Sequence, residues 1–252
     1  MDGVIEAHTG WQLNEYADAP GYYGIQRFND HDKVVELLTA ADAEGLSVHA
    51  HSIGDGATHF MLDSIEDAEK ITDDMDQRNI LAHLQFVCDE DIQRMADTGT
   101  TAAVAPLWTA KEEGTYENEV KYVGQELADE AYPIKSFFDA GANVVFHSDY
   151  PISPDMDIKL SIYMAKTRAL VDDPTDSARN TKEAISREQS LRAMTINVAR
   201  QWHQESRMGS IEFGKLGNMT VCDCDFLHDD LDKVANASVV ATIVDGEEVY
   251  RA

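Results

Sequence analysis

Short apolar runs separated by amphipathic stretches of helical period, repeated from Asp30 to Trp202, constrain this chain more than any other feature. Such alternation builds parallel βα units, because neighbouring parallel strands need a crossover and a helix supplies it. From His31 to Glu44 the sequence places Val34, Leu37, Leu38 and Ala41 at helical spacing, and Gly45 stops the helix. Leu46 to Ala50 reads as a buried strand, Ala57 to Lys70 (Phe60, Met61, Ile65, Ala68) as a helix, and Asn79 to Ala82 as a second strand. Asp89 caps a helix carrying Ile92, Met95 and Ala96, Gly99 ends it, and Thr100 to Ala105 is a third strand. Pro133 to Ala140 is a short helix ended by Gly141, Asn143 to Phe146 a fourth strand, and Lys159–Val171 and Arg187–Trp202 two further helices, the first after a Pro151/Pro154 turn.

Three segments break the rhythm. The first thirty residues, with Pro20-Gly21, read as a strand end and a long loop without helix. Pro106 to Glu130 is a polar, acidic excursion with some helix, of the kind that often lines sites. After Glu205 the chain becomes Gly-punctuated and β-branched, with Asp245-Gly246 as a hairpin turn, and is expected to form a small β appendage.

Charge narrows the partners. Twenty basic residues against 47 acidic ones give a net charge of −27, which repels nucleic-acid phosphates and anionic lipid. Neither nucleic acid nor membrane is an expected partner. No apolar run approaches the ~20 residues of a membrane span, and MDGVIEAHTG lacks the regions of a secretion signal, so a cytoplasmic location is expected. Cys88, Cys222 and Cys224 are too scattered for a disulfide framework. In VCDCDF the last two would share one face of a strand, yet no second Cys or His pair completes a tetrahedral site, so they read as partly buried strand residues.

The strand ends share one kind of chemistry. The first strand ends in His49-Ala50-His51, the second in His83 and the fourth in His147-Ser148-Asp149. In a parallel βα barrel those ends converge on one face, where catalytic side chains gather. Imidazole and carboxylate donors there point to a divalent metal such as Zn²⁺, Mn²⁺ or Fe²⁺. His49 and His51 point to the same side of a strand, and either or both can chelate; His147 and Asp149 raise the same question. Asp149 suits general base then general acid catalysis beside activated water, or else merely begins the Asp149-Tyr150-Pro151 turn. Asp55, in IGDG, is either a helix cap or a site residue. His8, His31, His59, His203 and His228 lie in loop or helix settings and read as surface residues without converging partners.

At these residues the sequence resembles the amidohydrolase superfamily, and within it amidohydrolase family 3, which includes N-substituted formamide deformylases. The matching stretches are DGVIEAHT, HAHSIGDGA at 49–57, RNILAHLQFV at 78–87, AAVAPLW at 102–108, YPIKSFFDAGANVVFHSDYPIS at 132–153, and GSIEFGKLGNMTV with VDGEEVY near the end. The resemblance implies an α/β metal-dependent hydrolase on a (β/α)₈ barrel with a β-sandwich built from both termini. It makes His51 the metal ligand of the fifth strand, His83 that of the sixth, and Asp149 the eighth-strand carboxylate that binds metal and shuttles protons. His49 matches no ligand and His147 stands where the family commonly has glycine, so both are expected to line the substrate pocket, as is Trp108. Zinc is the foremost metal, with Mn²⁺ or Fe²⁺ as alternatives, and the substrate a small-molecule amide or formamide.

The resemblance is also incomplete. The family carries a His-x-His metal pair on its first strand and a bridging lysine or acidic residue on its fourth; nothing upstream of His49 supplies the pair, and MDGVIE matches the end of strand four. A whole barrel occupies about 250 residues. The chain is therefore expected to be the C-terminal half of a longer enzyme, with residues 1–205 as barrel strands four or five to eight and 206–252 as a sandwich segment. Open strand edges would make it oligomeric or dependent on an N-terminal half, with weak metal binding and weak activity. Three readings follow: a hydrolase of C–N bonds, a non-catalytic fragment or pseudoenzyme that acts as a binding module, and a deaminase acting at a ring carbon.

Overall fold

In a computed structural model that describes residues 1–72, 76–153 and 158–252, the chain divides into two compact units. The first comprises Met1–Val104 and Lys111–Val144, the second Ala105–Ala110 and Val145–Ala252. Pro154, part of the expected proline turn, lies outside the described residues.

The first unit opens with a loop holding only a 3₁₀ turn, Ile5–Ala7, rather than the expected strand end. Regular structure then alternates: α1 (His31–Ala43), β1 (His49–Ser52), α2 (Asp55–Glu69), β2 (Ile80–His83), α3 (Asp89–Asp97) and β3 (Thr101–Val104). The acidic excursion supplies α4 (Thr115–Val123) and α5 (Gln125–Glu130), and α6 (Ile134–Ala140) leads into β4 (Val144–Phe146), along which the chain passes to the second unit. The strands form a parallel sheet in the order β1-β2-β3-β4, with Ser52 opposite His83 and Ile80 opposite Thr101. This is the partial α/β barrel that the alternation demands. Every residue of β2 and β3 is buried, as expected of central parallel strands, whereas β1 buries Ala50 and Ser52 and turns His49 and His51 the other way.

Local chemistry sets the boundaries. Asp30 caps α1 through its carboxylate, which accepts from the Lys33 amide, and Gly45 follows the helix at φ 68°, where a side chain is strained. Cys88, not Asp89, is the N-cap of α3, and its side chain makes no capping bond. The first strand begins at His49 instead of Leu46, which is exposed. Val34, Val35 and Leu38 form the buried face of α1, leaving Leu37 outside; Met61, Leu62, Ile65 and Ala68 form that of α2, against which α1 packs.

In the second unit, α7 (Ile158–Thr167) is followed by α8 (Arg187–Met194) and α9 (Ile196–Gln201) in place of one continuous helix. The break falls at Thr195, whose hydroxyl donates to the Leu191 carbonyl. Gly209, at φ 88°, fits against it because a Cβ there would meet the Ile196 Cα at 2.9 Å. The expected β appendage is a three-stranded antiparallel sheet, β5 (Met219–Cys222), β6 (Val239–Val244) and β7 (Glu247–Arg251), interrupted by α10 (Leu231–Ala235). Asp245 and Gly246 both adopt positive φ, 51° and 82°, as a two-residue hairpin turn requires. Tyr163 and Met164 of α7 cluster with Ala110 and Ala235 as an apolar core. Among the described residues, no helix is long and apolar enough to cross a membrane.

Leu62 is fully buried and Leu37 is 54% exposed, although helical spacing places Leu37, and not Leu62, on the apolar face. Leu62→Ala should therefore cost about 2–5 kcal/mol in urea unfolding, and Leu37→Ala within about 0.5 kcal/mol. Equal costs would contradict this assignment of the α1 and α2 faces.

Candidate metal centre

In the first unit, His51 and His83 leave the C-terminal halves of adjacent strands with ring centroids 4.5 Å apart. Two imidazoles that share one tetrahedral ion, at metal–nitrogen distances of about 2.0–2.1 Å, hold their ring centres about 5 Å apart. The ring spacing of the pair is near what two ligands of one divalent cation need. Behind His51 lies Asp2, whose side chain is completely enclosed. One carboxylate oxygen sits 2.9 Å from His51 Nδ1 and accepts from the Ile53 amide at 3.2 Å; the other accepts from the amides of Gly54 at 2.8 Å and Trp11 at 3.0 Å.

His83 has φ 81° and Leu84 φ 53°, so two consecutive non-glycine residues occupy the left-handed region at the end of β2. Such backbone costs of order 1–3 kcal/mol per residue and persists where surrounding structure overrides it. The overriding contacts are the Leu84 amide to the Ser52 carbonyl, 2.8 Å, the Phe86 amide to the Ile53 carbonyl, 3.0 Å, and the burial of His83 and Leu84. The kink turns the chain sharply just where the imidazole leaves the sheet. His49 opens β1 as an exposed residue on the same side as His51.

The neighbouring β1–α2 turn is tied to residues 11–13. Asp55 accepts from the Leu13 amide at 2.8 Å and from its successor Gly56, while Gly56 donates to the Trp11 carbonyl at 3.1 Å. Gly54 is the helix N-cap, so Asp55 acts as a loop tie and not as a cap. Burial raises the Asp55 carboxyl, opposed by its amide donors; burial and the Asp55 charge push the Cys88 thiol up to about 12. A neutral Cys88 is a poor nucleophile or ligand at physiological pH.

In the second unit, Trp108 ends a 3₁₀ turn, Pro106–Trp108; its indole N–H donates to Ser153 Oγ at 3.0 Å and its ring meets that of His147 edge-on at 6.3 Å. Asp149 follows β4 at φ 55° and begins a turn, since its carbonyl accepts from the Ile152 amide at 2.7 Å. Cys224 lies beyond the end of β5 and a bulge falls between Val221 and Cys222, so the two thiols do not share a regular strand face as the spacing implied.

His59 corrects the surface reading. Its Nδ1 lies 3.1 Å from Asp91, a fully enclosed carboxylate, and His59, Glu90 and Asp91 bring ligand atoms within 4.8 Å of one another. The Arg94 guanidinium already serves this cluster, 2.7 Å from Asp91 and 2.6 Å from both Asp63 and Glu66. It joins α2 to α3 as an ion-pair network. His8 and His31 likewise have acidic partners, Asp18 at 2.9 Å and Asp67 at 3.5 Å. Helix periodicity did not expose the His31–Asp67 and His59–Asp91 pairings because each joins residues of two different helices.

Arg94→Met should destabilise the chain by about 3 kcal/mol in chemical denaturation, because the enclosed Asp91 loses its cation. His59→Ala should leave metal uptake, measured by equilibrium dialysis, unchanged; loss of bound metal would make this cluster the metal centre.

A model of the amidohydrolase family matches residues 1–250. The chain is 30% identical to Protein LONG AFTER FAR-RED 3 of Arabidopsis thaliana over 99% of its own length and 42% of that protein. It is 28% identical to an N-substituted formamide deformylase of Arthrobacter pascens, covering 96% of the chain and 44% of the relative. The crystal structure of an uncharacterized metal-dependent hydrolase from Pyrococcus furiosus superposes with a TM-score of 0.70 at 28% identity, covering 85% of this chain and 41% of that one. The chain thus spans less than half the length of these relatives.

Proposed function

The chain belongs to the amidohydrolase family, and from that premise we propose that it serves metal-dependent hydrolysis of a C–N bond in a small amide or formamide. The observation that carries this reading is the pair of strand-end imidazoles at 4.5 Å, one backed by an enclosed carboxylate, in a chain matched by the family over residues 1–250. His51 and His83 hold a divalent cation, zinc foremost, with Asp149 as the third donor. When bound, such an ion supplies Lewis acidity towards water and the substrate carbonyl.

The remaining work falls to the protein. Asp149 takes a proton from the attacking water as its oxygen bonds to the carbonyl carbon, then delivers that proton to the nitrogen as the C–N bond breaks, releasing an acid and an amine. His49, His147 and Trp108 line the substrate pocket. The edge-on contact of Trp108 with His147 supports a role for these two together. The name of the Arthrobacter relative supports a formamide-type substrate.

Residues 1–205 form the barrel part in this reading and 206–252 a sandwich segment. Since the matched relatives carry further sequence, turnover depends on additional chain, in cis or as a second polypeptide, or on self-association. The same coverage favours a second reading, a binding module without turnover. The free thiols of Cys88, Cys222 and Cys224 support a cytoplasmic setting.

His51→Ala and His83→Ala should each lower Zn²⁺ uptake in equilibrium dialysis by at least about 10-fold. Asp149→Asn should abolish most hydrolysis of N-substituted formamides, measured with the complementary segment of a relative supplied, while circular dichroism stays unchanged. Undiminished rates in that variant would end the assignment of the proton shuttle, and metal uptake with no turnover would favour the binding module.

A further inference from the structure

We propose that Asp2 is a positioning residue: its carboxylate fixes His51 in the Nδ1–H tautomer and thereby leaves Nε2 as the nitrogen that meets the cation. The proposal rests on the reading of His51 as a metal ligand and adds the residue that sets its orientation.

An ionised carboxylate only accepts hydrogen bonds. Three of the four close partners of Asp2 are backbone amides, of Trp11, Ile53 and Gly54, which can only donate. The fourth, His51 Nδ1 at 2.9 Å, must then donate as well, so in the neutral ring the lone pair lies on Nε2. A solvated imidazole carries its proton chiefly on Nε2, so the arrangement reverses the ordinary preference.

The anchor is also rigid. The Asp2 side chain is fully enclosed, while the side chain of His51 is 36% exposed, so the carboxylate is the fixed member of the pair and the ring is the one being held. Asp2 bonds both to the turn that follows β1, at Gly54, and to Trp11, so the ring orientation is locked to the backbone of two segments distant in sequence. Carboxylates behind metal-binding histidines act in this way, and their loss typically costs 10–100-fold in metal affinity.

Asp55 provides the control. It ties the same 11–13 segment to the same turn, its carboxylate accepting from the amides of Leu13 and Gly56. The test is long-range ¹H–¹⁵N correlation NMR of the full chain with ¹⁵N-labelled histidine, the His51 signals being identified by their absence in His51→Gln. Wild type is expected to show the Nδ1–H tautomer, Asp55→Ala to retain it, and Asp2→Asn to move towards Nε2–H. Asp2→Asn should also weaken Co²⁺ binding by about 10–100-fold, with Asp55→Ala unaffected. An Nε2–H tautomer in wild type overturns the proposal without any variant having to fold. An equal shift in Asp55→Ala, or wild-type Co²⁺ affinity in Asp2→Asn, overturns it too. If wild type shows the expected tautomer but binds no Co²⁺, the metal-centre reading falls and the hold of Asp2 on His51 stands.

Discussion

The buried carboxylate of Asp2 is the constraint on which the rest of the candidate centre depends. A charge enclosed without partners would cost several kcal/mol; here four donors surround it and make the enclosure tolerable. Because three of those donors are backbone amides, satisfying the charge also fixes the course of the chain at residues 11, 53 and 54. Its fourth bond passes that rigidity to the His51 ring. A single acidic side chain thus converts loop packing into orientation of the His51 ring.

Backbone geometry supplies the second half of the arrangement. His83 and Leu84 both hold positive φ, and the cost is met by the amide bonds of Leu84 and Phe86 to β1 and by the burial of those side chains. The hydrogen bonds that offset the kink end on Ser52 and Ile53, the same stretch that Asp2 holds through the Ile53 amide. His51 and His83 are therefore placed by one connected network rather than by separate accidents of packing. Asp149 also holds a left-handed conformation, three residues beyond the end of β4, where it begins a turn.

Much of this was legible in the residues. The βα rhythm located the four strands to within a few positions, and the histidines stood out because they closed apolar runs. Asp2 did not, since nothing about a lone aspartate shows that its partner lies 49 residues away; its only signal was its place in the DGVIEAHT stretch. His59 was misread for the same reason, its partners Asp91 and Arg94 being on another helix. Leu37 sits at a spacing that a 100°-wide face accepts, yet tertiary packing chose Val35 instead. Thr195 broke a helix through a side-chain bond to Leu191 that propensity alone does not foretell.

Crystals of the chain soaked in zinc and measured at the zinc absorption edge give the most direct test. An anomalous peak about 2.0–2.1 Å from a ring nitrogen of both His51 and His83, with Nε2 the coordinating atom of His51, is the predicted result. A peak at His59, Glu90 and Asp91 with His51 and His83 left without metal would contradict the account.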